Sequence, residues 1–200
     1  MKYPPEQHQD YNKLHMIEVL KSYPLATLIS VKNSEPFITH LPLVYREDGK
    51  LIGHIDKFNP QTELLKDNHP ITVIFSGPDC YISPSIYTTK QLPTWNYIKV
   101  HLKGTVEAIE SKNALKDSLI KMTEFLEQPE HNYVLEPNNS SMERNLDYIK
   151  MFEISINSWE GKFKLSQDKK PSDIESARKE LIRANQESIK VLLDRVFKIS

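Results

Sequence analysis

A single cysteine, Cys80, among 200 residues leaves no partner for an internal disulfide, which fits a reducing, cytoplasmic compartment. Cys80 reads as a small buried side chain, because no base stands near it in sequence. No apolar run approaches the roughly eighteen residues that a membrane-spanning helix needs. The opening MKYPPEQHQDYNK lacks the apolar core of a secretory leader. Glycine is scarce at five, and none forms a Walker A loop, a Gly-x-Gly-x-x-Gly turn or a Gly-x-Ser-x-Gly elbow. The seven histidines are scattered without Cys-x-x-Cys or His-x-x-x-His pairing, so no zinc site is expected. A formal net charge of −1 and a pI near 6.7 give no strongly basic surface, which makes direct DNA binding doubtful. With no side-chain catalytic template, any chemistry would come from a bound cofactor.

What is present centres on residues 71–101, ITVIFSGPDCYISPSIYTTKQLPTWNYIKVH. Ile71, Val73 and Phe75 alternate with polar residues as a half-buried strand. Gly77-Pro78 and Ser83-Pro84 punctuate the stretch, which also carries Tyr81, Tyr87 and Lys90. Beyond Thr94-Trp95-Asn96-Tyr97, Ile98, Val100, Leu102 and Val106 alternate with Lys99, His101, Lys103 and Thr105 as a second, longer strand. The polar and aromatic loop between the strands is either a binding loop or a hairpin tip covering a sheet edge.

Around this core the chain reads as a meander. Asp10 would cap a helix over Tyr11–Lys21, ended by Tyr23-Pro24. Strands follow over 24–31, 35–45 and 50–55, joined by turns at Asn33-Ser34 and Glu47-Asp48-Gly49. Asn59-Pro60 would start a short helix running to about Asp67. Ser111 would cap a helix over 112–127, and another is expected over 141–149. Phe152–Ile156 and Gly161–Leu165 read as two further strands. After Pro171 the chain turns charged and helical, with Ile174, Leu181, Ile182, Ile189, Leu192, Leu193 and Val196 near one side. The expected architecture is mainly β with peripheral helices: a barrel or strongly curved antiparallel sheet over 1–170, and a helical extension over 171–200 that packs on the barrel or on a partner.

Two constellations are candidates for binding. HIDKFNPQ (54–61) passes from a strand into a helix start, where Lys57 and backbone N–H groups favour a phosphate, although any such junction shares those features. Trp95-Asn96-Tyr97 would suit a planar heteroaromatic ligand or simply pack a strand edge. Trp159, Lys162, Lys164, Ser166 and Gln167 form a similar set near the other end.

The motifs PLATLIS, THLPL, LIGHIDKFNPQ, VIFSGPDCYISPS, PTWNY with VH, and WEGKFKLSQ, taken together and in this order, resemble the PaiB-like family of FMN-binding negative transcriptional regulators. The resemblance covers about residues 1–170. It implies a six-stranded antiparallel FMN-binding split β-barrel and a homodimer with flavin near the subunit interface. It also implies that Thr39, His40, Leu41 and Pro42 line the flavin and that Gly53, His54 and Lys57 lie by its phosphate. Trp95, Asn96 and Tyr97, with Lys164, Ser166 and Gln167, would close the pocket, some from the partner chain. The chain departs from the family pattern at Ile86, Asp56, the run KLSQDKKPSD and the helical tail. A regulatory role follows from the resemblance. The alternative is a flavin-dependent oxidoreductase using NAD(P)H or a similar reductant, since similar split barrels host such enzymes.

Overall fold

Asn33 (φ 54°) and Ser34 (φ 67°) both adopt the left-handed conformation. They close a two-residue turn whose twist suits the strands on either side. Those strands are β2 (Leu25–Lys32) and β3 (Glu35–Tyr45), paired antiparallel over the whole of β2 from Leu25↔Pro42 to Lys32↔Glu35. Gly49 (φ 87°) supplies the next turn, into β4 (Lys50–Asp56). In the computed structural model the described residues are 5–185 together with Asp194. A two-residue strand β1 (Gln9–Asp10) and three long strands complete the sheet: β5 (His69–Ile82), β6 (Thr94–Ile109) and β7 (Ile149–Lys164).

The seven strands run in the order β1-β7-β4-β3-β2-β5-β6, and β7 also pairs with β6. That last pairing closes six of them into a ring with β1 added on β7, in keeping with the six-stranded architecture expected. Strands β5, β6 and β7 each cross between two compact units. The first unit holds Met1–Pro24, Ile74–Leu102 and Ser158–Ser200; the second holds Leu25–Val73 and Lys103–Asn157.

In the first unit α1 (Lys13–Ser22) buries Met16, Val19 and Leu20. Strands there contribute fully buried Phe75, Ile82, Ile98 and Phe163, each worth about 1.5–3 kcal/mol of transfer free energy. The terminal helix α4 (Pro171–Asn185) buries Asp173, Ala177 and Leu181. In the second unit Leu28, Leu43, Leu51, Phe152 and Ile154 are buried. There α2 (Lys112–Leu126) and the short α3 (Ser140–Asn145) pack with Ile52 and Met151 through Leu115 and Met142, joined by Leu146 of the 3₁₀ turn after α3. No helix among the described residues is long and apolar enough to cross a membrane.

Several expected boundaries move. The first helix begins at Lys13 and not Tyr11, capped by Asn12, whose side chain accepts from the Leu14 N–H. Asp10 is drawn away because its backbone pairs with Gly161 and its carboxylate takes the Asn12 N–H and His15. The short helix after Asn59 is 3₁₀ and ends at Leu64, before left-handed Asp67 and Asn68. Gly77-Pro78 does not interrupt its strand, since β5 continues to Ile82; a Cβ on Gly77 would stand 3.1 Å from Ile98. The helix expected over 141–149 ends at Asn145, passes through a 3₁₀ turn, and yields Ile149 to β7, where it pairs with Asp56. The two strands expected over 152–156 and 161–165 are one, because Gly161 is no break. Its bare Cα admits the Asp10 carbonyl, which a Cβ would meet at 2.5 Å. Ile174 and Ile182 are half-buried on α4, whereas Ile189, Leu192, Leu193 and Val196 lie outside the described residues.

Candidate functional site

In the second unit, the hairpin register sets His40 opposite Thr27, and Thr27 Oγ1 lies 3.0 Å from His40 Nδ1. Odd residues of β2 and even residues of β3 face outward together, so His40 is exposed while Leu41 is buried. Thr39 Oγ1 accepts a hydrogen bond of 3.1 Å from Asn59 Nδ2, which ties β3 to the turn after β4. Pro42 is half-buried opposite Leu25.

Alternation also separates Gly53 from His54. Gly53 faces the core, where a Cβ would meet Leu43 at 2.5 Å and Phe152 at 2.6 Å. His54 points the other way, and its Nε2 lies 3.0 Å from Ser118 Oγ on α2. Burial pushes the His54 imidazole down to about 4, so at neutral pH it brings no charge to a phosphate.

Lys57 is differently placed. Its backbone N–H bonds to Tyr148 O, and its ammonium sits 4.5 Å from the Tyr148 ring centre and 5.2 Å from that of Phe58. Among the described residues it forms no ion pair. Asp56, the acid beside it, accepts the Phe58 N–H at 2.8 Å and lies exposed.

In the first unit the other predicted residues form a hydroxyl-centred network. Ser166 is buried and left-handed (φ 63°). Its Oγ lies 3.0 Å from Asn96 Nδ2 and 2.8 Å from the Tyr87 hydroxyl. Lys164 Nζ donates to Thr94 Oγ1 at 2.6 Å. Gln167 folds back on its own chain, accepting the Leu165 N–H at 2.6 Å and donating to Phe163 O. A cleft of about 290 Å³ is lined by Tyr87, Thr94, Lys164 and Ser166, with His8 and Lys169 also at its walls.

The Trp95-Asn96-Tyr97 triple lies within β6 and does not present one face. Asn96 is buried toward Ser166, whereas Trp95 stands on the opposite side, with its Nε1–H donating to Asp79 at 3.1 Å. Lys99 reaches the same carboxylate at 3.0 Å.

Sequence reasoning missed the buried Asp173 on α4. Its carboxylate accepts from Thr88 N–H, Thr88 Oγ1 and Thr89 Oγ1 at 2.7–2.8 Å, holding the loop before β6. A helix-starting Pro-Ser-Asp is a usual cap signal, but its long-range use left no local trace. The Thr27–His40 pair was within reach, since a two-residue turn at Asn33-Ser34 fixes that register.

The family model described as "Putative FMN-binding domain" matches residues 2–158. The chain is 30% identical over 176 residues to the protease synthase and sporulation protein PAI 2 of Bacillus subtilis, covering 86% of this chain and 84% of that protein. Its fold is similar to an FAD- and heme-binding protein from Mycobacterium smegmatis, with a TM-score of 0.65, 19% identity, and 85% and 80% of the two chains covered. It is also similar to the flavocytochrome Anf3 of Azotobacter vinelandii, with a TM-score of 0.61, 21% identity, and 78% and 69% covered. The ring of strands, the ordered motifs and this match over most of the chain converge: the protein belongs to the FMN-binding domain family.

Proposed function

We propose that this chain binds FMN as a cytoplasmic, PaiB-like homodimer with a regulatory role. The observation that carries the reading is Lys57: a cation held against two aromatic rings, with no close ion pair among the described residues and only the more distant charge of Asp147, which is itself paired with Lys112. A phosphate would supply the missing charge-assisted partner. The donor sets fit the rest of the cofactor. Exposed His40 beside Thr27 in the second unit is of the kind that a ring edge requires. The hydroxyl and ammonium groups of Tyr87, Thr94, Ser166 and Lys164 in the first unit are of the kind that ribityl oxygens require from the partner chain.

In this reading Lys57 neutralises the phosphate, while Gly53 and His54 shape the strand behind it through packing and not through charge. Pro42 shares the outward face of His40 as the adjoining wall, while Thr39 and Leu41 support that strand from its other face. Asn96, with Ser166, fixes the hydroxyl geometry in the first unit; Trp95, Tyr97 and Gln167 border the same element ends, in the same or the partner chain. The extension after Pro171 serves as a docking segment. Bound flavin supplies reversible two-electron chemistry, so a flavin-dependent oxidoreductase using NAD(P)H is the second reading. The likeness to a protease synthase and sporulation protein favours the regulatory one.

Titration of the purified protein with FMN, followed by flavin fluorescence and the visible spectrum, tests the site. Saturable binding that weakens in Lys57→Ala supports it; an unchanged spectrum at high flavin concentration overturns it. Turnover of NAD(P)H by the loaded protein would then select the enzymatic reading.

A further inference from the structure

The second unit contains a cleft of about 390 Å³ beneath α2 that no flavin assignment uses. Its floor is apolar, built from Val44, Ile52, Ile109, Met122 and Met151. A packing gap that holds one water occupies about 30 Å³, whereas ligand pockets begin near 300 Å³. The volume falls in the second class. The two methionines give a polarizable lining suited to aromatic rings.

The charges around the cleft cancel. Arg46 and Glu153 pair at 2.8 Å, and Glu153 also takes Lys50 at 2.9 Å. Asp117 and Lys121 stand one turn apart on α2, both exposed. Arg46 and Lys121 against Asp117 and Glu153 leave the lining formally neutral, so a charged ligand gains little from it. One polar group remains inside. Ser118 is 8% exposed and is one of the residues lining the cleft, and its hydroxyl is bonded to His54. A hydroxyl holding one imidazole nitrogen keeps either its proton or its lone pairs for a second partner.

We propose that this cleft binds a small uncharged aromatic molecule carrying one hydrogen-bonding group, of the phenol, indole or arylamine class, with that group on Ser118 Oγ. The site is separate from the residues assigned to FMN apart from His54, which acts only by orienting Ser118. A regulatory flavoprotein would thereby carry a second input.

The test uses 1-aminoanthracene, a neutral fluorescent arylamine, titrated into the full chain at pH 7.5. Saturable binding is expected, with amide chemical-shift changes centred on Ala114–Met122, Val44, Ile52, Ile109 and Met151. Ala114→Phe, which fills the cleft, should weaken binding at least tenfold. Ser118→Ala should weaken it about two- to tenfold, the range of one neutral hydrogen bond. The anionic 8-anilinonaphthalene-1-sulfonate should bind at least tenfold more weakly, and FMN should not compete. Three results would each overturn the proposal: no saturation below about 1 mM, displacement by FMN, or undiminished binding in a cooperatively melting Ala114→Phe. Should that variant fail to fold, Met122→Trp fills the same cleft from the other end of α2 and is read in the same way.

Discussion

Ser118 Oγ lies 3.0 Å from His54 Nε2, joining helix α2 to strand β4 through a half-buried imidazole. Burial sets that imidazole at about 4 against an ordinary 6.5. The unfolded chain therefore takes up the proton first as the pH falls. The contribution of His54 to stability is complete above pH 6.5 and is lost between 6.5 and 4, by on the order of 3 kcal/mol. Urea unfolding at pH 7.5, 5.5 and 4.5 should show this loss. His54→Phe should flatten that part of the profile.

Gly53 is required by packing. Its Cα faces Leu43 and Phe152 at distances that exclude a methyl group. Gly53→Ala should cost about 1–3 kcal/mol of stability through overpacking, read as a lower urea midpoint with an unchanged slope.

Lys57 carries the flavin phosphate in the proposed function. Lys57→Ala should weaken FMN binding about tenfold or more, because a charge-assisted hydrogen bond contributes about 1.5–3 kcal/mol. Wild-type affinity should fall as salt is raised, and that salt dependence should be smaller in the variant.

Asp173 holds the loop before β6 by three hydrogen bonds. The first of these, from the Thr88 N–H, keeps its carboxyl below the usual range. Asp173→Ala should free both the loop and the start of α4, seen as faster amide exchange at Thr88, Thr89 and along Asp173–Asn185. Exchange in α2 should not change.

Cys80 is buried, and burial first, then Glu180 and Asp79, pushes its thiol up to about 11. An aromatic disulfide reagent at pH 8 should label it slowly in the native protein and promptly in urea, since the thiolate is the reacting form.

Much of the fold was legible because short-range patterns set it. Alternation from Ile98 to Val106 gave the buried face of β6, and Asn33-Ser34 and Asp48-Gly49 gave the hairpins. The failures share a cause: contacts distant in sequence overrode local signals. Gly77-Pro78 and Gly161 look like breaks until neighbouring strands come close to their bare or fixed backbones. Asp10 looks like a cap until β7 claims its backbone. At the candidate site, the ordered motifs make Lys57 and Ser166 expectations, and they do not say which way either side chain turns. His54, adjacent to core-facing Gly53, faces a helix that no motif placed beside it.

Ser166 carries a tension of another kind. Among the described residues outside glycine, it shares the left-handed conformation with Asn33, Ser34, Asp67, Asn68 and His131. At turn positions such as Ser34, natural variation toward glycine would relieve strain at little loss. At Ser166 the same change would also delete the hydroxyl that joins Asn96 to Tyr87. A glycine at this position would relax the backbone and cut the Asn96–Tyr87 link at once, so its two effects oppose one another.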